Sequence, residues 1–279
     1  MKTLFTLTSG RSGTSYLAHF FKTNVNDCFS THEPYLLPGN PALFGEAVAW
    51  NTYQEDERLL PLVQKKDDFI HRQKTSAYFE ANHAFLKSCH RHATILVDEP
   101  GFIHLVRNPL YVAKSELIRE QLIRRLRLPF AYYRRDKERF FRWALTGHET
   151  IFKSFVELRL SRYQFYLLQW IEIEYRAMQL LRDNNWQNKV FFIEVEKDLR
   201  NKCVMRNMLD FFGLDSIKPS LNMNLKTNRT PFVGQTLIGD QDIIEWKQVM
   251  LRLPSAYQSF LKLPPYQNCC WTTPLLSSY

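Results

Sequence analysis

Apolar residues recur along this chain in two rhythms. Short apolar or β-prone runs at 3–7, 28–30, 77–80 and 102–106 read as strands, the last bounded by Gly101 and by Asn108-Pro109. Between them the spacing turns helical. Tyr16, Leu17, Phe20 and Phe21 fall at i, i+1, i+4 and i+5. Pro109 suits the first turn of a helix, where its missing N–H costs nothing. The stretch 163–181, rich in Leu, Ile and aromatics, reads as a buried helix. Val204, Met205, Met208, Leu209 and Phe212 line one face of another, which stops at Gly213. A last helix opens at Asp240, carries Ile243, Ile244, Met250 and Leu251, and ends before Pro254. Strands alternating with helices predict an α/β fold: a central, mostly parallel sheet flanked by helices in three layers. With no linker, repeat or low-complexity tract, residues 1–279 are expected to form a single domain.

The first strand–helix junction carries the densest chemistry. Residues 8–15 read Thr-Ser-Gly-Arg-Ser-Gly-Thr-Ser. Gly10 and Gly13 allow a tight turn and close approach to a ligand. The helix start offers unpaired N–H groups and partial positive charge, which suit a phosphate. Ser12, Thr14 and Ser15 add hydroxyls, and Arg11 a forked cation. The loop is therefore P-loop-like, but no lysine follows either glycine as a Walker A sequence requires. A nucleotide-dependent kinase becomes the second reading, and a plain βα turn the bland one.

A second anion site is legible after the strand 102–106. Arg107 stands at that strand's carboxyl end and Ser115 about two turns into the following helix. Ligands of open α/β sheets bind beyond the carboxyl ends of the strands, so this pair suits a second phosphate.

Together these segments resemble the 3′-phosphoadenylyl-sulfate-dependent sulfotransferases. That family cradles the 5′-phosphosulfate in an R-S-G-T type loop and holds the 3′-phosphate with R-[ND]-P-x-x-x-x-x-S. Arg107-Asn108-Pro109 and Ser115 match the second motif, and the order along the chain agrees. The R-S-G-T form looks like the bacterial and Golgi carbohydrate-type members rather than the K-x-G-T-T-W cytosolic enzymes. Residues 190–199, VFFIEVEKDL, look like the family's strand with a Y-E-D-L type ending, and the helix after it like its FLG helix. The resemblance implies transfer of a sulfuryl group from 3′-phosphoadenylyl sulfate to a hydroxyl, of a carbohydrate, glycolipid or other small acceptor. It leaves adenosine 3′,5′-bisphosphate as product and implies no metal, because Arg and Lys supply the positive charge.

Sulfuryl transfer needs a base, cations at the sulfuryl group and a clamp on the nucleotide. Glutamate-base members of the family have a Glu at a distance similar to that from Arg11 to Glu33, so Glu33 is the expected base. His32 competes with it, and a turn or cap before Pro34 is the structural alternative. Arg11 would meet the transferring group. Lys74 is a candidate second cation and reads equally well as a surface lysine. Glu80, Asn82 and His83 cluster after a strand and suit either acceptor contact or a helix start at Asn82. The resemblance further suggests a late basic loop closing over the nucleotide, with Asn228 and Arg229 as its residues.

Charge and cysteines refine this picture. The net charge is +9, and residues 119–142 alone hold nine Lys/Arg against three Asp/Glu. Such a band raises the local concentration of anions. Phe130, Tyr132, Tyr133, Phe140, Phe141 and Trp143 interleave with it, which suits sugar stacking or a membrane surface. A non-enzymatic polyanion- or nucleic-acid-binding protein is the third reading, ranked below the enzyme because two phosphate sites already explain the anion chemistry. A solvated helix face is the plain reading of the band. Five cysteines without ligand spacing suggest neither disulfides nor zinc, and a reducing cytosol is the simplest compartment. No apolar run approaches a membrane span.

Overall fold

The computed structural model describes residues 1–34, 36–96, 100–224 and 237–276. Among these described residues seven strands form: β1 (Lys2–Leu7), β2 (Cys28–His32), β3 (Ala77–Ala81), β4 (Pro100–Val106), β5 (Tyr132–Arg135), β6 (Glu138–Phe141) and β7 (Val190–Glu194). Five of them make one sheet in the order β2-β3-β1-β4-β7, with every neighbouring pair parallel. The expected α/β architecture is therefore present, with helices on both sides of the sheet.

The strand period of two sorts side chains between the faces. Leu4, Phe79, Ala81, Ile103 and Leu105 pack with the helices Thr14–Asn24 and Lys202–Phe211. Phe5, Leu7, Tyr78, Phe102 and Val106 pack on the other face, under the helices Asp56–His71, Pro109–Arg125 and Arg162–Asp183. Asn108 caps the helix at Pro109 by accepting from the Leu110 N–H at 3.0 Å. Ser161 and Gln164 close a capping box on the long helix Arg162–Asp183.

The basic band is not one helix face. Helix Pro109–Arg125 ends inside it, and residues 132–141 form the antiparallel hairpin β5–β6 outside the main sheet. The sequence there alternates in blocks too short to distinguish strand from charged helix. No helix among the described residues is long and apolar enough to cross a membrane.

Glu80 and Asn82, grouped above with an acceptor contact, turn into the core instead. Glu80 is buried and takes hydrogen bonds from Lys66 Nζ, from Tyr78 Oη and from Asn82 Nδ2, the last at 2.8 Å. Lys66 Nζ also donates to Asn40 Oδ1 at 2.8 Å, and Asn40 Nδ2 to the Pro34 carbonyl at 2.7 Å. This network ties the helix Asp56–His71 and β3 to the chain that follows Glu33.

Candidate active site

Because the sheet is parallel, the ends of β1, β2, β3 and β4 all deliver their loops to one edge. The loop after β1 needs three left-handed residues in four: Gly10 at φ +98°, Arg11 at +54° and Gly13 at +85°. A Cβ on Gly10 would lie 3.1 Å from Glu116 Oε1 and 3.2 Å from the His83 ring. At Gly13 it would lie 2.5 Å from Leu199 Cδ2. Gly13→Ala is therefore expected to lower stability by about 1–2 kcal/mol from the left-handed backbone alone, measured by urea unfolding.

The loop is braced from within. Ser12 Oγ donates to the Gly10 carbonyl at 2.9 Å, and Thr14 Oγ1 lies 3.1 Å from His32 Nε2. Ser15 follows in the first helical turn, half-buried.

The two anion motifs meet. Arg11 Nε donates to Ser115 Oγ at 2.9 Å. Arg107 Nη1 donates to the Arg11 carbonyl at 2.6 Å, while its Nε is buried without a hydrogen-bond partner and lies 3.5 Å from Glu196 Oε1. Ser9 Oγ and Thr8 Oγ1 are also buried without partners. A glycine-lined turn, orphaned donors and two arginines form a cradle whose donor set fits a doubly phosphorylated nucleotide.

Beside the loop lies a compact acid–base cluster. Glu33, in a left-handed conformation at φ +45°, accepts from His83 Nδ1 and lies 3.7 Å from His32 Nε2. Burial would raise the Glu33 carboxyl, but His83, His32 and Arg119 outweigh it and hold the group down at about 2. Burial pushes the His83 imidazole below its ordinary value, with Glu33 opposing. A neutral ring that donates from Nδ1 carries its lone pair on Nε2, and that atom is buried with no hydrogen-bond partner among the described residues, while the ring's Cγ–Cδ2 edge faces Gly10.

Three further residues complete the cluster. Lys87 is fully buried, donates to the Trp143 carbonyl at 2.5 Å, and is lowered by burial to about 8. Glu116 forms a 2.6 Å ion pair with Arg119. The Arg119 guanidinium sits over the Phe141 and Trp143 rings at 5.6 and 5.5 Å. The sequence carried signals for all three. Lys87 interrupts the apolar run 84–89, and Arg119 falls at i+4 from Ser115 and at i+3 from Glu116, within reach of both along the helix.

The structure thus brings together Gly10, Arg11, Ser12, Gly13, Thr14, Ser15, His32, Glu33, Arg107 and Ser115. It does not bring Lys74 to them. That residue is exposed just before β3, whose far end carries Asn82 and His83, so the strand's length of about 16 Å separates it from the site. Asn228 and Arg229 lie outside the described residues.

No protein-family model matches the chain, and no curated protein matches it in sequence. Solved structures resemble it in fold. The sulfotransferase domain from the curacin biosynthetic pathway superposes with a TM-score of 0.53 at 14% identity, covering 94% of this chain and 96% of that one. A sulfotransferase from Alicyclobacillus acidocaldarius gives a TM-score of 0.47 at 15% identity, over 92% of this chain and 99% of that one. At such identity the first likeness defines the class of fold, that of a sulfotransferase domain, and the weaker one carries no argument.

Proposed function

We propose that this chain is a sulfotransferase that moves a sulfuryl group from 3′-phosphoadenylyl sulfate to a hydroxyl of a carbohydrate, glycolipid or other small acceptor. The observation that carries the reading is the junction of Arg11 with Ser115 and of Arg107 with the Arg11 carbonyl. It unites two anion-binding motifs that a nucleotide phosphorylated at both 5′ and 3′ positions requires. The sulfotransferase-like fold supports it. The carbohydrate-type assignment rests on the R-S-G-T form of the loop, and a cytosolic location on five free thiols.

The bound nucleotide supplies the sulfuryl group and a phosphate leaving group. Gly10, Arg11, Ser12, Gly13, Thr14 and Ser15 would hold its 5′ end, and Arg107 with Ser115 the 3′-phosphate. Asn228 and Arg229 remain candidates for closing over it by resemblance alone. Positive charge at the transferring group falls to Arg11, Lys87 and Arg119, in place of Lys74.

The acid–base cluster favours His83 over Glu33 as base. A carboxylate held below its ordinary range has little affinity for a proton at neutral pH, whereas the His83 imidazole, pushed down by burial, is neutral there and carries a lone pair that can take one. Glu33 then fixes the His83 tautomer and stabilises the ring once protonated, and His32 braces Thr14.

Thermal shift tests the reading. Adenosine 3′,5′-bisphosphate without metal should stabilise the chain, and ATP with Mg²⁺ should not; the reverse result would assign a kinase-like protein. Arg107→Ala should weaken bisphosphate binding about ten- to a hundred-fold, the worth of a charge-assisted hydrogen bond, read by calorimetry. Unchanged affinity would remove Arg107 from the clamp. Arg107→Lys should not rescue it, because the forked donor is lost.

A further inference from the structure

We propose that the end of the helix Pro109–Arg125 and the β5–β6 hairpin form a docking surface for an anionic lipid bilayer. Arg124, Arg125, Leu126, Arg127 and Phe130 are consecutive or nearly so, and all are exposed. Leu126 and Phe130 each leave 59% of their surface in water. Such side chains at a segment tip have no role in the core.

The hairpin adds net positive charge: Arg134, Arg135, Lys137 and Arg139 against Asp136 and Glu138, of which Asp136 pairs with Arg135 and Glu138 with His148. Arg134 and Arg139 are direct cross-strand partners and both exposed. Like charges placed opposite each other destabilise a ladder unless an anion lies across them. Arg139 stacks on the Tyr132 ring at 4.0 Å, which holds it on that face. Other basic residues of the band are engaged: Arg119 with Glu116, Arg135 with Glu55, and Arg142 with the Phe130 carbonyl. Arg124, Arg125, Arg127, Arg134, Lys137 and Arg139 have no ion pair among the described residues.

Phe130 and Tyr132 also wall a groove of about 430 Å³ with Trp50 and Phe44, and Arg142 and Glu46 line it too. Aromatic side chains with a polar end, beside arginines, suit the depth of lipid headgroups. Charge alone would serve any polyanion. The two exposed apolar tips favour a bilayer, into which they insert while the arginines meet anionic headgroups. The proposal is independent of the sulfuryl-transfer reading, because it is tested without nucleotide.

The test is co-sedimentation of the full chain with vesicles of phosphatidylcholine, alone or with about a third phosphatidylserine. The chain should pellet with the anionic vesicles only. Arg134→Gln and Arg139→Gln should each weaken this about five-fold. Leu126→Ser with Phe130→Ser should abolish it while leaving retention on heparin intact. All four positions are exposed, so melting curves should match those of the parent chain. Absence of binding to anionic vesicles overturns the proposal. So does a Leu126→Ser/Phe130→Ser variant that pellets as the parent does, which would mark a polyanion site instead.

Discussion

Replacing His83 by glutamine is expected to slow sulfuryl transfer by about 10²- to 10⁴-fold, the usual contribution of a positioned general base. Affinity for the bisphosphate should be almost unchanged, since the cradle is built by Arg11, Arg107 and Ser115. Glu33→Gln should cost less, because glutamine still offers an oxygen to His83 Nδ1 and loses only the charge. The pH profile separates the two roles. Activity needs the neutral imidazole, and burial lowers the pKa of His83, so kcat/KM should rise with pH through a value below the ordinary 6.5. Removing the Glu33 charge removes the factor opposing that shift, so the rising limb should move to still lower pH. An equal loss in both variants, with an unmoved limb, would return the base to Glu33.

Lys66→Met is expected to lower stability by about 3–5 kcal/mol, because it strands a buried carboxylate. Lys66 and Glu80 are both fully buried, and Lys66 is the only cation bonded to Glu80 among the described residues. Tyr78 and Asn82 remain as donors, but they are neutral. Chemical denaturation should show the loss, and the double variant Lys66→Met/Glu80→Gln should recover part of it by discharging the site. The single variant should also blunt catalysis beyond its effect on stability, since Lys66 anchors Asn40 and Asn40 the Pro34 carbonyl, next to Glu33. A loss below about 1 kcal/mol, the scale of an exposed pair, would show that Glu80 is not charged in the native core.

Much of this arrangement is legible along the chain because its causes are local. The turn at Gly10 and Gly13 follows from two residues that tolerate positive φ. The helix after β4 starts where Pro109 and the Asn108 cap place it. Strand β3 was readable from its run of residues, but its direction of burial was not, and so Glu80, Asn82 and His83 looked alike. Lys74, the expected second cation, and Lys87, not among the residues expected at the site, flank the same strand. The parallel register puts one at the amino end and the other beyond the carboxyl end of β3.

The sequence by itself determined the strands of the main sheet, the helices that follow β1 and β4, the phosphate-suited loop, and the Arg107–Ser115 spacing, since backbone preference and helical period act over a few residues. The tertiary structure alone decided which acid–base group is buried, paired or free to take a proton. Desolvation and charge coupling depend on neighbours brought from distant parts of the chain: Glu33 meets His83 across the β2–β3 edge, and Arg11 meets Ser115 only because β4 lies beside β1.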